Sequence, residues 1–357
     1  MIKTKLKRNK TKIDDTAKEI SKEVKSPINE NIESKVLFPS GSTLLNLACS
    51  DDYRGAYGIG KVINLIGDSS SGKSFLALSC LAECSNNKNF DEYDFYYDDA
   101  EEALEFDINK LFGKNLLDRM LLDIKSKTIE DFYGNIIHTI RKDKPFIYIL
   151  DSLDSVSSSD EKTRAKTYGD GNIPDGSYKM EKPKLVSEIL RVITSDIKQK
   201  EALVMIVSQT RDNIGFGAMF SPKVRSGGKA LEFYSCHTLW LAIKSRMKEK
   251  NREIGVIIEA KITKNKLTGK RRTVTFPINY YYGVDDIGSC IDFLIEEKYW
   301  DKNKNKIVAK DFNIEMSKKK LIVEIEQKNL ENELRKITAD VWNSIEDSIK
   351  TDRKPKY

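Results

Sequence analysis

The sequence predicts an α/β fold: a doubly wound core in which a mostly parallel, twisted sheet is flanked by helices, with a small appendage at each end. Two observations carry this. Residues 67–74 read GDSSSGKS, directly after the apolar run Lys61–Ile66 and directly before the helical pattern FLALSCLAEC, so strand, glycine-bearing loop and helix follow one another. Further apolar runs return at 93–99, 120–124, 146–151, 202–209, 237–243 and 255–265, with helical patterns at 128–141 and 183–199 between them. The stretches at 146–150 and 203–207 are apolar throughout, as central strands covered on both faces must be. In such a fold, ligands sit at the C-terminal ends of the strands.

Taken in order, the chain opens with a basic arm. Lys3, Lys5, Lys7, Arg8, Lys10 and Lys12 precede the first acidic residue, Asp14, and they account for the net charge of +6. Such a run reads either as a solvated, disordered arm or as one that meets nucleic acid. Residues 14–25 have weak helical periodicity that Pro27 ends, and FPSGSTLLNLACS then reads as a capped helix leading to the first strand. The expected division is 1–40 for the arm with an oligomerisation or linker segment, 41–290 for the core, and 291–357 for a small helix-rich C-terminal unit. No apolar stretch is long enough to span a membrane, and none follows the basic start as a secretory signal requires. Cys49, Cys80, Cys84, Cys236 and Cys290 lack paired spacing, and only His138 and His237 could join them. That argues against a zinc site or a Cys/His nucleophile and for reduced thiols in a cytoplasm.

The loop 67–74 has the spacing of a phosphate-binding loop. Gly67 and Gly72 let the backbone turn and approach a ligand, and the N–H groups at the helix start face an anion. Lys73 supplies a mobile cation for the outer phosphates, and the Ser74 hydroxyl suits Mg²⁺. The expected nucleotide-contacting stretch is Gly67, Asp68, Ser69, Ser70, Ser71, Gly72, Lys73, Ser74 and Phe75. Asp151 ends the apolar strand FIYILD, where its carboxylate either shares that metal with Ser74 or merely caps the turn. The segment YYDDAEEAL offers Asp98, Asp99, Glu101 and Glu102; spacing alone does not choose among them.

In order and approximate spacing, GDSSSGKS, DAEEAL, ILDS, SQTRDNIG, SGGKALEFY and KNK resemble the RecA family of recombination ATPases over about residues 41–295. The resemblance implies ATP with Mg²⁺ as the bound nucleotide and metal. It puts Glu101 on the water-activating glutamate and Gln209 on the glutamine that senses the terminal phosphate. It puts Lys264 and Lys266 on cations that reach the neighbouring subunit's ATP, and Tyr280 near the neighbour's adenine. Phe233 falls on an aromatic of the subunit interface, with a core position as the alternative. The DNA-binding loops fall within 157–182 and at 210–229. They bring Arg211, Lys223, Arg225, Gly227 and Gly228, and Lys184 and Arg191 follow on the helix between them. Ile214, Phe216, Met219 and Phe220 would either wedge between bases or anchor the second loop. Three positions depart from the pattern: Glu232 stands for a basic residue, Ile108 for an adenine-stacking tyrosine, and Lys184 for an arginine.

The implied activity is homologous pairing and strand exchange by a helical filament on single-stranded DNA, with homologous duplex DNA as the second substrate. Single-strand-binding and loading proteins are the further partners it suggests. The alternatives are a hexameric helicase of related core, or a paralogue that binds ATP and mediates or caps another protein's filament.

Overall fold

The computed structural model describes residues 36–169, 181–212, 223–225, 228–351 and 353. The expectations on the N-terminal arm, on 170–180, and on Ile214, Phe216, Met219, Phe220 and Gly227 lie outside the described residues.

A short ribbon of β1 (Leu37–Phe38) and β2 (Tyr57–Gly58) leads into the main sheet. Its strands are β3 (Lys61–Gly67), β4 (Asp94–Asp99), β5 (Met120–Leu121), β6 (Phe146–Asp151), β7 (Leu203–Asp212), β8 (Lys223–Arg225), β9 (His237–Glu249), β10 (Arg252–Asn265), β11 (Thr273–Asn279) and β12 (Gly283–Val284). The spatial order is β12-β11-β10-β9-β3-β7-β6-β4-β5, with β8 paired to the far end of β7. From β9 to β5 every pairing is parallel; from β9 to β12 every pairing is antiparallel. The doubly wound core is therefore present, and it carries an antiparallel wing.

Why the central strands look continuously apolar is visible in their alternation. Ile147 and Ile149 of β6, with Leu203 and Met205 of β7, face one hydrophobic cluster. Phe146, Tyr148 and Leu150, with Val204 and Ile206, face the other. Helices Thr43–Ser50 and Lys73–Ser85 cover the first face. Helices Ile129–Arg141, Glu181–Gln199 and Gly228–Tyr234 cover the second. The helix 129–141 starts where it does because Thr128 and Asp131 cap each other reciprocally, and Ile129, Phe132, Ile136 and Ile140 then recur on its buried side.

Strand β11 contains Pro277, which a central strand would not tolerate. Here β12 meets β11 only at Ile278 and Asn279, so the proline lies on what is nearly an edge. The outer half of β9, 244–249, is mostly charged and exposed, which is why only 237–243 reads as a strand there.

A third cluster, centred on Trp300, gathers helix Asp286–Glu296, the small antiparallel sheet β13 (Asp301–Asn303), β14 (Lys306–Ala309) and β15 (Ile314–Met316), and helices Lys318–Gln327 and Glu331–Ser348. The position expected to end the core, 290, falls inside the first of these helices. The unit is joined to the core by Phe293 and Trp342, which pack against the first cluster, and by charge. The Arg272 guanidinium lies 2.6 Å from both Asp51 and Glu346, stacks on Trp342, and donates to the Leu47 and Ala48 carbonyls at the end of helix 43–50. Lys270 reaches the same two carboxylates. All five cysteines are buried as free thiols, and burial pushes those of Cys49, Cys84, Cys236 and Cys290 upward.

Candidate nucleotide and nucleic-acid site

The phosphate loop leaves β3 at Gly67. A Cβ there would lie 2.3 Å from Ser71 Oγ and 2.5 Å from the Leu241 carbonyl, so only glycine lets the loop fold this closely. Gly72, at φ +85°, precedes helix 73–85 in the left-handed conformation. Asp68, Ser69 and Ser70 are exposed, whereas Ser71 is buried, and its hydroxyl finds no hydrogen-bond partner among the described residues. The Lys73 ammonium, nearly buried, donates to the Asp68 carbonyl at 2.6 Å. Burial lowers its pKa, against the opposing pull of Asp151, Glu101, Asp68 and Asp154. Phe75 turns away from the loop and packs against Phe106 and Phe112. Its side chain belongs to the core.

The acidic cluster resolves into separate jobs. Asp98 is wholly buried and accepts from Ser126 N at 2.7 Å, Ser126 Oγ at 2.5 Å and Tyr148 Oη at 2.7 Å; these bonds brace β4 against β6 and the start of helix 129–141. Asp99 accepts from the Ala103 and Leu104 amides and shapes the following turn. Glu102 is exposed at φ +52°. Glu101 alone turns to the site, where its Oε1 accepts from Ser152 Oγ at 2.5 Å and from Gln209 Nε2 at 2.9 Å. One strand over, Asp151 accepts from Tyr97 Oη at 2.6 Å. Burial raises the pKa of Asp151, while bonds from the Ser74 and Tyr97 hydroxyls lower it.

Gln209 ends the part of β7 paired with β3, opposite Gly67. Its amide N–H donates to Asp154 at 2.6 Å, and the next residue, Thr210, donates through Oγ1 to the Asp68 carboxylate. Beyond the sheet, β7 continues beside β8 with Thr210 opposite Arg225, Arg211 opposite Val224 and Asp212 opposite Lys223. Arg211, Lys223 and Arg225 thus lie on one two-stranded ladder, and Gly228 opens helix 228–234 just after it. Lys184 and Arg191, seven residues apart on helix 181–199, are both exposed.

Three expected residues, Lys264, Lys266 and Tyr280, lie elsewhere. Lys264 Nζ donates to the Glu232 and Phe233 carbonyls, and Lys266 Nζ to the Phe233 carbonyl at 2.9 Å, so both cations cap helix 228–234. Phe233 is 68% exposed and cannot be a core residue. Tyr280 is also exposed, its hydroxyl on Glu253 beside the hairpin of β9 and β10. Ser152, Asp154, Tyr97 and Thr210 were not singled out from the sequence. Ser152 and Asp154 lie one and three residues after Asp151, at the strand's C-terminal end, which is the signal that could have found them.

These residues fit a nucleoside triphosphate and Mg²⁺. Among the described residues, the loop offers a buried hydroxyl with no hydrogen-bond partner, a glycine-dependent close turn and a cation bonded to a backbone carbonyl. Ser74 and Asp151 bring a hydroxyl and a carboxylate together, a hard-oxygen pair of the kind that holds Mg²⁺ alongside substrate phosphates. A phosphate loop after β3, with an acidic strand end two strands away, defines a P-loop nucleotide-binding protein.

Residues 7–285 match the family model described as the RecA N-terminal domain. The chain is 28% identical over 280 residues to Protein RecA of Nautilia profundicola, covering 77% of this chain and 74% of that one. It is 30% identical over 272 residues to Protein RecA of Xanthomonas axonopodis pv. citri, with 76% and 74% covered. Against Protein RecA of Wolinella succinogenes the identity is 27% over 289 residues, with 80% and 79% covered. The chain belongs to the RecA family. Among the described residues no helix is long and apolar enough to cross a membrane.

Proposed function

We propose that this chain is an ATP-dependent strand-exchange protein that assembles as a helical filament on single-stranded DNA in the cytoplasm and pairs that strand with a homologous duplex. The observation that carries the reading is the position of Glu101. One carboxylate is shared by Ser152 and Gln209, and Gln209 stands at the root of the basic segment 210–229. A single site thereby links a candidate proton acceptor to a candidate DNA grip.

In this reading Lys73 leaves the Asp68 carbonyl for the outer phosphates, and the Ser71 hydroxyl gains the partner it lacks. Ser74 and Asp151 hold Mg²⁺, which when bound neutralises phosphate charge. Glu101 orients a water molecule and takes its proton, while Ser152 fixes the carboxylate's direction. Gln209, released from Glu101, reports the terminal phosphate to the DNA-facing segment. Lys264 and Lys266, presented at an exposed helix end, reach the neighbouring protomer's ATP and stabilise charge there only after assembly. Arg211, Lys223, Arg225, Lys184 and Arg191 meet phosphodiesters, and Gly227 and Gly228 admit backbone amides to the same anion. Such contacts read no sequence, so homology is judged by the DNA strands themselves.

The test is ATP turnover with and without single-stranded DNA, in the wild type and in Glu101→Gln. DNA should stimulate the wild type strongly. The variant should lose turnover by about 100-fold or more while still binding DNA. Normal hydrolysis by the variant would remove Glu101 from its role. Turnover indifferent to DNA, or no joint molecules between homologous substrates, would remove strand exchange.

A further inference from the structure

Two successive residues of β7 hold on to the phosphate site, Gln209 through Glu101 and Thr210 through Asp68. The second contact follows from register. Gly67 is the partner of Gln209 in the β3–β7 pairing, so Asp68 and Thr210 come next, where both chains leave the sheet. Thr210 donates its hydroxyl proton to the Asp68 carboxylate. The carbonyl of the same Asp68 accepts from Lys73 Nζ at 2.6 Å and from the Ser71 amide at 3.2 Å. On its other side Thr210 is the partner of Arg225, so whatever holds Thr210 holds both limbs of the β7–β8 ladder. Asp68 therefore engages the loop's own lysine with one group and the base of the ladder with another.

We propose that Asp68 and Thr210 are a positioning pair that ties the base of the β7–β8 ladder to the form of the phosphate loop in which Lys73 bonds to the Asp68 carbonyl. The inference rests on the function proposed above and adds to it a coupling that does not pass through Gln209. Phosphate competes with the Asp68 carbonyl for Lys73. When the ammonium turns to phosphate, the peptide that aims the Asp68 carboxylate at Thr210 loses the Lys73 hydrogen bond, and the tie loosens. The tie thus favours the resting arrangement over the DNA-gripping one, and its removal shifts that balance.

The experiment compares single-stranded DNA affinity with and without a non-hydrolysable ATP analogue in Thr210→Val, which keeps the shape and removes the hydroxyl, and in Thr210→Ser, which keeps the hydroxyl. In Thr210→Val the nucleotide-free affinity should rise, shrinking the analogue's effect by about fivefold. In Thr210→Ser the effect should stay near the wild-type value. A second measurement titrates the analogue without DNA against wild type, Asp68→Ala, Thr210→Val and the double variant. The double variant should match one of the single variants rather than their sum. An analogue effect unchanged in Thr210→Val, or additive singles, overturns the tie. If DNA affinity in the wild type ignores nucleotide, the proposed function falls, and the DNA-free cycle still decides whether Asp68 and Thr210 act as a pair.

Discussion

Two regions of this molecule concentrate charge, and they treat it oppositely. At the joint with the C-terminal unit, Arg272 meets two carboxylates, two helix-end carbonyls and an aromatic face at once. At the phosphate loop, Lys73 sits among four carboxylates yet bonds to a backbone carbonyl, and burial depresses its pKa. The first arrangement compensates a desolvated cation; the second leaves it poorly compensated. Charge matched within the fold contributes to stability, while a cation bonded to a backbone carbonyl is placed to bind an anion.

Removing each cation sharpens the contrast. The largest effect is expected from Lys73→Ala: turnover should fall by about 100-fold or more, while the unfolding midpoint stays within about 3 °C of wild type. A large loss of stability in that variant would mean the loop lysine is structural after all. Next comes Arg272→Met, which leaves Lys270 to balance Asp51 and Glu346 and takes away the donor to the Leu47 and Ala48 carbonyls. Unfolding free energy should drop by about 3 kcal/mol, with nucleotide affinity in the folded protein unaltered; urea titration and analogue binding check the two halves.

An effect of similar size, graded by acid, comes from His237, which adjoins the joint through a 3.3 Å contact between Nε2 and the Cys49 carbonyl. Burial lowers its pKa from 6.5 to about 4. Above pH 6.5 both folded and unfolded states carry a neutral ring, and pH has no leverage through this group. As pH falls toward about 4 the unfolded chain takes up the proton first, so stability should decline by roughly 3 kcal/mol in all. Urea midpoints collected through that window should flatten in His237→Gln; an unflattened slope would assign the acid sensitivity to other groups. The smallest effect belongs to Lys270→Ala. Its side chain is 41% exposed, so its pairs with Asp51 and Glu346 should be worth only about 0.5 kcal/mol, and salt should erase the difference.

The sequence was most legible where backbone geometry dictates residue type. Gly67, Gly72, Lys73 and Ser74 stand together because a close turn, a helix start and an anion demand those types in that order, and the parallel strands announce themselves by being apolar on both faces. Legibility failed where the role depends on direction rather than identity. Asp98 and Glu101 are three residues apart in one acidic run, yet one braces the scaffold through three donors and the other turns to the site. Nothing in spacing distinguishes them, because a turn between the two sets which way each points. Strand β11 was hidden by Pro277, and β13 to β15 by their brevity and polar sides. The pairing of Asp68 with Thr210 joins positions far apart in the chain and required the register of β3 on β7.

Because every native sulfhydryl is interred, a maleimide dye offered to the folded protein should find almost nothing to attack. One cysteine introduced at the exposed position 184 would then carry the only fluorophore, with no wild-type thiol needing removal. The packing of this core thereby supplies a clean background for watching the protein engage its polymer in real time.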